Sequence, residues 1–301
     1  MPNLGSLVVT DTAAPSDLGT LRELVAAAAP WASPAAVEEH AASLVGAPAV
    51  RRDGSLTAVL HAGDSAVAGF GSALAVSGHE CDLADLYAAL AEEWVRAGTV
   101  THTVYVPAGV AEAVWFDLSF GRQQAYAVAV VADMPADPPA GPVTVAQVGP
   151  EALDEVVAFR DIITQHQALS PVFSRATEAW YEQLREAWVE VLASTETRCF
   201  LARRDGAPAG FLLSEDAGPG LLFPPGAIEL RAAAVSVDVR GGGVGSALAA
   251  AFVADARAQG ATHAVADWRT TNLLASRFWP RWGFRPVAYR LVRTIDLTPF
   301  A

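Results

Sequence analysis

The residues best suited to chemistry lie between Ile228 and Leu248, where an apolar run ending Ala234-Val235-Ser236-Val237-Asp238-Val239 meets Arg240-Gly241-Gly242-Gly243-Val244-Gly245-Ser246. Residues without side-chain bulk let successive backbone N–H groups point into one concavity, and the unpaired donors of a following helix add partial positive charge. Such a turn seats a diphosphate, and the Arg240 guanidinium can close it with charge-assisted hydrogen bonds. Two other glycine motifs fail on spacing. A dinucleotide fingerprint, GxGxxG, needs a third glycine where this chain has Ser246 or Leu248, and a P-loop needs Gly-Lys-Ser/Thr, which does not close this turn.

What fits is Arg240-x-x-Gly243-x-Gly245, with a strand before it and a helix after it. Further on, Asn272-Leu273-Leu274-Ala275 opens a stretch that ends Phe278-Trp279-Pro280-Arg281-Trp282-Gly283-Phe284. Asn272 suits a helix N-cap and Gly283 a helix C-cap. Together the two segments resemble motifs A and B of the Gcn5-related N-acetyltransferases, in the family's order, and the resemblance covers roughly residues 143–295.

That resemblance implies acetyl-CoA as donor, with Val235 and Val237 on the pantetheine arm and Arg240, Gly241, Gly242, Gly243, Val244, Gly245 and Ser246 around the pyrophosphate. Asn272, Ser276 and Trp279 are expected beside the cofactor on the motif-B helix. Glu229 is the expected general base, because the family commonly carries a glutamate at the start of that strand. Many members place a tyrosine acid where this chain has Trp279, and an indole cannot protonate a thiolate. The thiolate is then expected to leave unassisted or with help from Tyr289 on the last strand. His166 falls in an expected helix-to-helix loop, a region that commonly lines the substrate cleft. The implied reaction is direct attack on the thioester by a primary amine of a small molecule or peptide. Other readings are a longer acyl donor, a non-amine acceptor, or a CoA-binding scaffold or sensor without turnover.

These residues need a framework. Helices are expected over residues 153–165 and 175–193, a hairpin about Asp205-Gly206, a long strand over 227–237, a helix over 248–258 stopped by Gly260, a strand over 262–267, a helix over 272–282 and a final strand over 287–295. Upstream the same order is expected. Helices cover 18–29 and 35–45, a hairpin turns at Gly63-Asp64, a helix spans 83–97, a strand 100–106, a short helix 108–118 and a strand 124–131. Repeated prolines over 133–142 mark a linker, giving a first domain at 1–132 and a catalytic domain at 143–301. The expected class is α/β (α+β), two tandem acetyltransferase-like domains. Each is a mixed, largely antiparallel sheet flanked by helices, with splayed central strands in the second. The first half has no counterpart of the Arg240 loop and is expected to be a degenerate copy without cofactor.

Composition bounds the alternatives. At 301 residues and 52% hydrophobic, the chain can bury two cores without disulfides or metals. A net charge of −13 argues against nucleic acid, whose binding depends on neutralised phosphates. Apolar stretches break well before the roughly 20 residues of a membrane span, and no signal-peptide pattern opens the chain, so a cytoplasmic protein is expected. Cys81 and Cys199 stand far apart, and the six histidines show no i,i+4 pairing, so no metal site is expected. A homodimer and a monomer are both compatible with the sequence.

Overall fold

In the computed structural model, residues 11–52, 55–64, 70–77, 80–135, 141–174, 177, 187–218 and 220–296 are described. The chain divides into two compact units, Met1–Tyr126 with Pro219–Pro224 and Pro286–Ala301, and Ala127–Gly218 with Pro225–Arg285.

The first unit runs β1 (Asp11–Thr12), helices Leu18–Ala28 and Pro34–Ser43, β2 (Pro48–Arg52), β3 (Ser55–Asp64), β4 (Phe70–Ser77), helix Glu80–Arg96, β5 (Thr101–Pro107) and helix Glu112–Asp117. Strand β6 (Gly121–Val130) follows, and its residues divide between the units after Tyr126. Within this unit the sheet order is β1-β2-β3-β4-β5-β12, where β12 is Arg285–Thr294. Its ladders are antiparallel except for β4 with β5, which are joined by the Glu80–Arg96 helix.

The second unit repeats this order: β7 (Val143–Val148), helices Leu153–Val157 and Arg160–Ala168, β8 (Thr197–Arg204), β9 (Ala207–Asp216), β10 (Ala227–Val235), helix Val244–Ala258, β11 (His263–Arg269) and helix Leu273–Phe278. Its sheet reads β11-β10-β9-β8-β7, again antiparallel except for β10 with β11. Both units are therefore mixed, largely antiparallel sheets flanked by helices.

Local chemistry accounts for the elements around the site. Asp205 and Gly206 both adopt left-handed backbone (φ 52° and 82°), which sets the tight β8–β9 hairpin with Arg204 opposite Ala207. β9 is buried on both faces from Ala209 to Ser214 and sits between two neighbours, as a near-continuous apolar run requires. The Val244–Ala258 helix lays Ala247, Leu248, Phe252, Val253 and Ala256 against the sheet, its alanines permitting close approach. It ends in a Schellman turn: Gly260 (φ 73°) is left-handed, its N–H reaches Arg257 O at 3.0 Å, and Ala261 N–H reaches Ala256 O at 2.9 Å.

Several boundaries differ from the sequence expectation. The single helix expected over 153–165 is two pieces, broken at Ala158-Phe159, and His166 lies inside the second piece rather than in a loop. Most of the helix expected over 175–193 lies outside the described residues; 187–193 is helical. The β3–β4 ladder extends to Asp64 opposite Gly71, so Gly63 and Asp64 are strand, and the connection at 65–69 lies outside the described residues. The expected linker is described except for 136–140, and Arg257 Nη2 donates to Met134 O at 2.8 Å within the second unit. Strand β12, counted in sequence with 143–301, pairs from Ala288↔Pro107 to Thr294↔Thr101 and buries Leu291 in the first unit's core. Among the described residues, no helix is long and apolar enough to cross a membrane, and no cluster of three His, Cys, Asp or Glu could hold a metal.

Candidate functional site

The site begins where a ladder ends. β10 pairs with β11 from Ala227↔His263 to Leu230↔Ala266, and there the parallel pairing stops. A register shift at Arg231 follows, and Ala232–Val235 continue on β9 alone, as far as Val235↔Gly210. The central strands thus part, leaving the second edge of Ala232–Val235 unpaired among the described residues. Gly210 is needed for this, since a Cβ there would stand 2.6 Å from Ala234 O.

After Val235 the chain turns through a 3-10 segment, Val237–Val239, into the glycines. Gly241 and Gly243 have φ of 80° and 85°, a region costly for any side-chain-bearing residue. The amides of Arg240 and Gly242 are taken by Val237 O (3.3 Å) and Val239 O (3.2 Å). Among the described residues, those of Gly241, Gly243, Val244, Gly245 and Ser246 have no acceptor. The first bond of the following helix is Ala247 N–H to Gly243 O at 2.9 Å, and no side chain caps its N-terminus. A helix end with unsatisfied donors is a ready seat for an anion.

These amides border a cavity of about 880 Å³ in the second unit. Its walls come from β10 (Ala233, Ala234, Val235), the glycine loop, the Arg160–Ala168 helix (Ile162, Ile163, His166) and the segment 272–282. Arg240, Arg277 and Arg281 are among its lining residues, and among the described residues no Asp or Glu lines it. None of the three side chains has an ion pair or hydrogen bond among the described residues. Trp279 lines the cavity while only 8% exposed, its ring edge-on to Phe278 (4.8 Å) and Phe284 (5.7 Å). Gly245 packs beside the Phe278 ring and Val235, where an added Cβ would make ordinary van der Waals contacts at 3.6 and 3.7 Å. Asn272 caps its helix by accepting from Ala275 N–H at 3.2 Å, and its Oδ1 also lies 3.1 Å from His166 Nε2.

Of the residues singled out in the sequence, Val235, Arg240, Gly241, Gly243, Val244, Gly245, Ser246, Asn272 and Trp279 line this cavity together. Val237 does not; β10 ends at Val235, and Val237 is 63% exposed in the 3-10 turn. Gly242 faces away, toward Arg204, whose Nη1 would lie 2.1 Å from an added Cβ. Ser276 donates its hydroxyl to Thr270 O at 3.0 Å and is not in the wall. Glu229 is four residues before Ala233, roughly 13 Å along a strand, and is also absent from the wall. Burial raises the pKa of Glu229, while Arg231 Nη1, 3.5 Å from its Oε1, opposes the shift. Tyr289 belongs to the first unit, on β12 opposite Val106, with the Arg122 guanidinium 4.2 Å above its ring. Sequence reading passed over Arg277 and Arg281, although their i,i+4 spacing just after Asn272 is the signal of one basic helix face.

Among the described residues, the first unit offers nothing similar at the matching crossover. Residues 78–79 lie outside the described ones, and the next helix carries Asp82 in its first turn, fully buried and accepting from Thr57 Oγ1 at 2.6 Å. A carboxylate in that position repels phosphate.

A mixed sheet parted at its centre, with open helix-end amides and arginines beside the gap, defines an α/β domain whose split is suited to an anionic ligand. Residues 162–284 match the family model of the acetyltransferase (GNAT) family, and this segment is a domain of that family. Two solved structures share the fold. A GCN5-related N-acetyltransferase from Sphaerobacter thermophilus superposes with a TM-score of 0.59 at 19% identity, covering 96% of this chain and 97% of that one. An acetyltransferase of the GNAT family from Colwellia psychrerythraea gives 0.51 at 13% identity, covering 93% and 97%. No curated protein matches the sequence. The family's general donor is acetyl-CoA, and at that level the chain is an acyltransferase.

Proposed function

We propose that this protein transfers the acetyl group of acetyl-CoA to a primary amine of a small molecule or peptide, by direct attack and without an acyl-enzyme. The observation that carries this reading is the wall of the second-unit cavity: among the described residues, open amides of Gly241 and Gly243–Ser246 and three arginines without an acidic partner, with no Asp or Glu in the lining, in a chain of net charge −13. Such a wall selects a polyanion. A diphosphate at the loop would place the rest of an extended donor along the unpaired edge of Ala232–Val235, where backbone groups can pair with an amide-bearing arm as a strand would.

The chain's residues then divide the work. Arg240 and the loop amides hold the diphosphate, while Arg277 and Arg281 supply further cationic contacts from the opposite wall. Trp279 and Phe278 exclude water around the reacting end. An indole N–H is no acid at this pH, so the thiolate leaves carrying the C–S electron pair, as a thiol of pKa roughly 8.5 permits. The first unit, with Asp82 at its crossover, holds no donor in this reading.

Calorimetry with acetyl-CoA and with free CoA tests the donor site, and absence of heat from both ends the proposal. Thiol release across a panel of primary amines tests transfer. Heat without thiol release from any amine would favour a CoA-binding protein without turnover.

A further inference from the structure

We propose that His166 is the general base that takes the acceptor's proton, an assignment that rests on the acetyl-transfer reading above. His166 stands in the Arg160–Ala168 helix and lines the cavity. Its Nε2 is 3.1 Å from Asn272 Oδ1. That oxygen is fixed in place by a second bond, since the Ala275 N–H it accepts at 3.2 Å could not be received by an amide nitrogen. The atom facing Nε2 is therefore an acceptor, so Nε2 carries the hydrogen, and in the neutral ring Nδ1 keeps a lone pair. No partner for Nδ1 exists among the described residues.

The rest of the wall leaves the role to His166. The charged side chains there are Arg240, Arg277 and Arg281, which stay protonated and cannot act as bases. β10, on which this helix packs, turns Ala232 and Ala234 toward it, and Asp161 lies on the helix itself a turn earlier. Glu229, the carboxylate singled out in the sequence, is not in the wall.

The step balances as a proton relay. As the amine nitrogen bonds to the thioester carbon, its proton passes to Nδ1. The C–S bond breaks with its electron pair on sulfur, and the imidazolium returns the proton to the thiolate, so amine and thioester become amide and thiol. Asn272 Oδ1 accepts from Nε2–H throughout and keeps the ring's orientation in both protonation states.

Two measurements on the full chain test this. Long-range 1H–15N spectra of the free protein above neutral pH are expected to show the Nε2–H tautomer at His166; an Nδ1–H tautomer would overturn the assignment. In the thiol-release assay with acetyl-CoA and small primary amines, His166→Gln is expected to lower kcat about a hundredfold or more. The same variant should bind acetyl-CoA within about twofold of the parent by calorimetry, which also shows that it is folded. Turnover by His166→Gln within about threefold of the parent across the pH range refutes the base, as does a parent that binds acetyl-CoA and acetylates none of the amines. Failure of the parent to bind acetyl-CoA would instead remove the donor site and the acetyl-transfer reading with it.

Discussion

Arg240 meets no carboxylate inside the cavity it lines, and that freedom is what a phosphate would use. A charge-assisted hydrogen bond contributes about 1.5–3 kcal/mol. Arg240→Ala is accordingly expected to weaken acetyl-CoA binding roughly ten- to a hundredfold. The difference should shrink as salt rises, and calorimetry at two ionic strengths reads both effects. His102 shows the opposite economy. It is fully buried in the first unit with Tyr87 Oη 2.7 Å from Nδ1 and Nε2 3.1 Å from Thr99 O, and burial lowers its pKa below the ordinary value of 6.5. The folded chain then binds fewer protons than the unfolded chain just below that value. Its contribution to stability is complete above pH 6.5 and is lost as pH falls from there toward the lowered pKa. Urea denaturation at pH 7.5 and at pH 5.5 is expected to show a drop in midpoint that His102→Gln reduces.

At the scale of elements, the parting of β10 from β11 depends on β9 holding the other edge. Gly210 is where the two backbones come closest, and a valine there must push against Ala234 O and Val235. Gly210→Val is expected to cost about 1–3 kcal/mol in a thermal or denaturant transition and to weaken acetyl-CoA binding with it. The same contrast between near and distant partners decides what could be read from the sequence. The glycine turn at the helix start was legible because its residues are consecutive, from Arg240 to Ser246, and need only a turn and a helix start. The motif-B helix was legible through Asn272 and Gly283, although Pro280, which lacks an N–H, leaves its second half as a 3-10 turn. Glu229 lies outside the cavity wall because the open edge of β10 begins only after Leu230, where its ladder with β11 ends. The His166–Asn272 contact joins residues far apart in sequence and left no local trace.

At the scale of the molecule, charge and connectivity carry the remaining consequences. A chain of net charge −13 that gathers three arginines without an acidic partner among the described residues in one concavity is expected to favour anions there over the rest of its surface. Connectivity departs from the order of the sequence. The first unit's sheet is completed by β12, whose Leu291 lies in the core with Trp115, Tyr87 and Val104. A fragment of residues 1–142 therefore lacks a strand that its core requires. It is expected to show no cooperative unfolding by circular dichroism, and fusing residues 286–296 back through a flexible linker should restore the transition.

The same arrangement sets a timetable for biosynthesis. A ribosome releases β5 early and reaches Pro286 about 160 residues after Tyr126, on the order of ten seconds or more at bacterial or slower elongation rates. Throughout that interval the nascent β5 edge is exposed and able to pair with another polypeptide. Conditions that stall translation in the second half should burden chaperones more than stalls in the first.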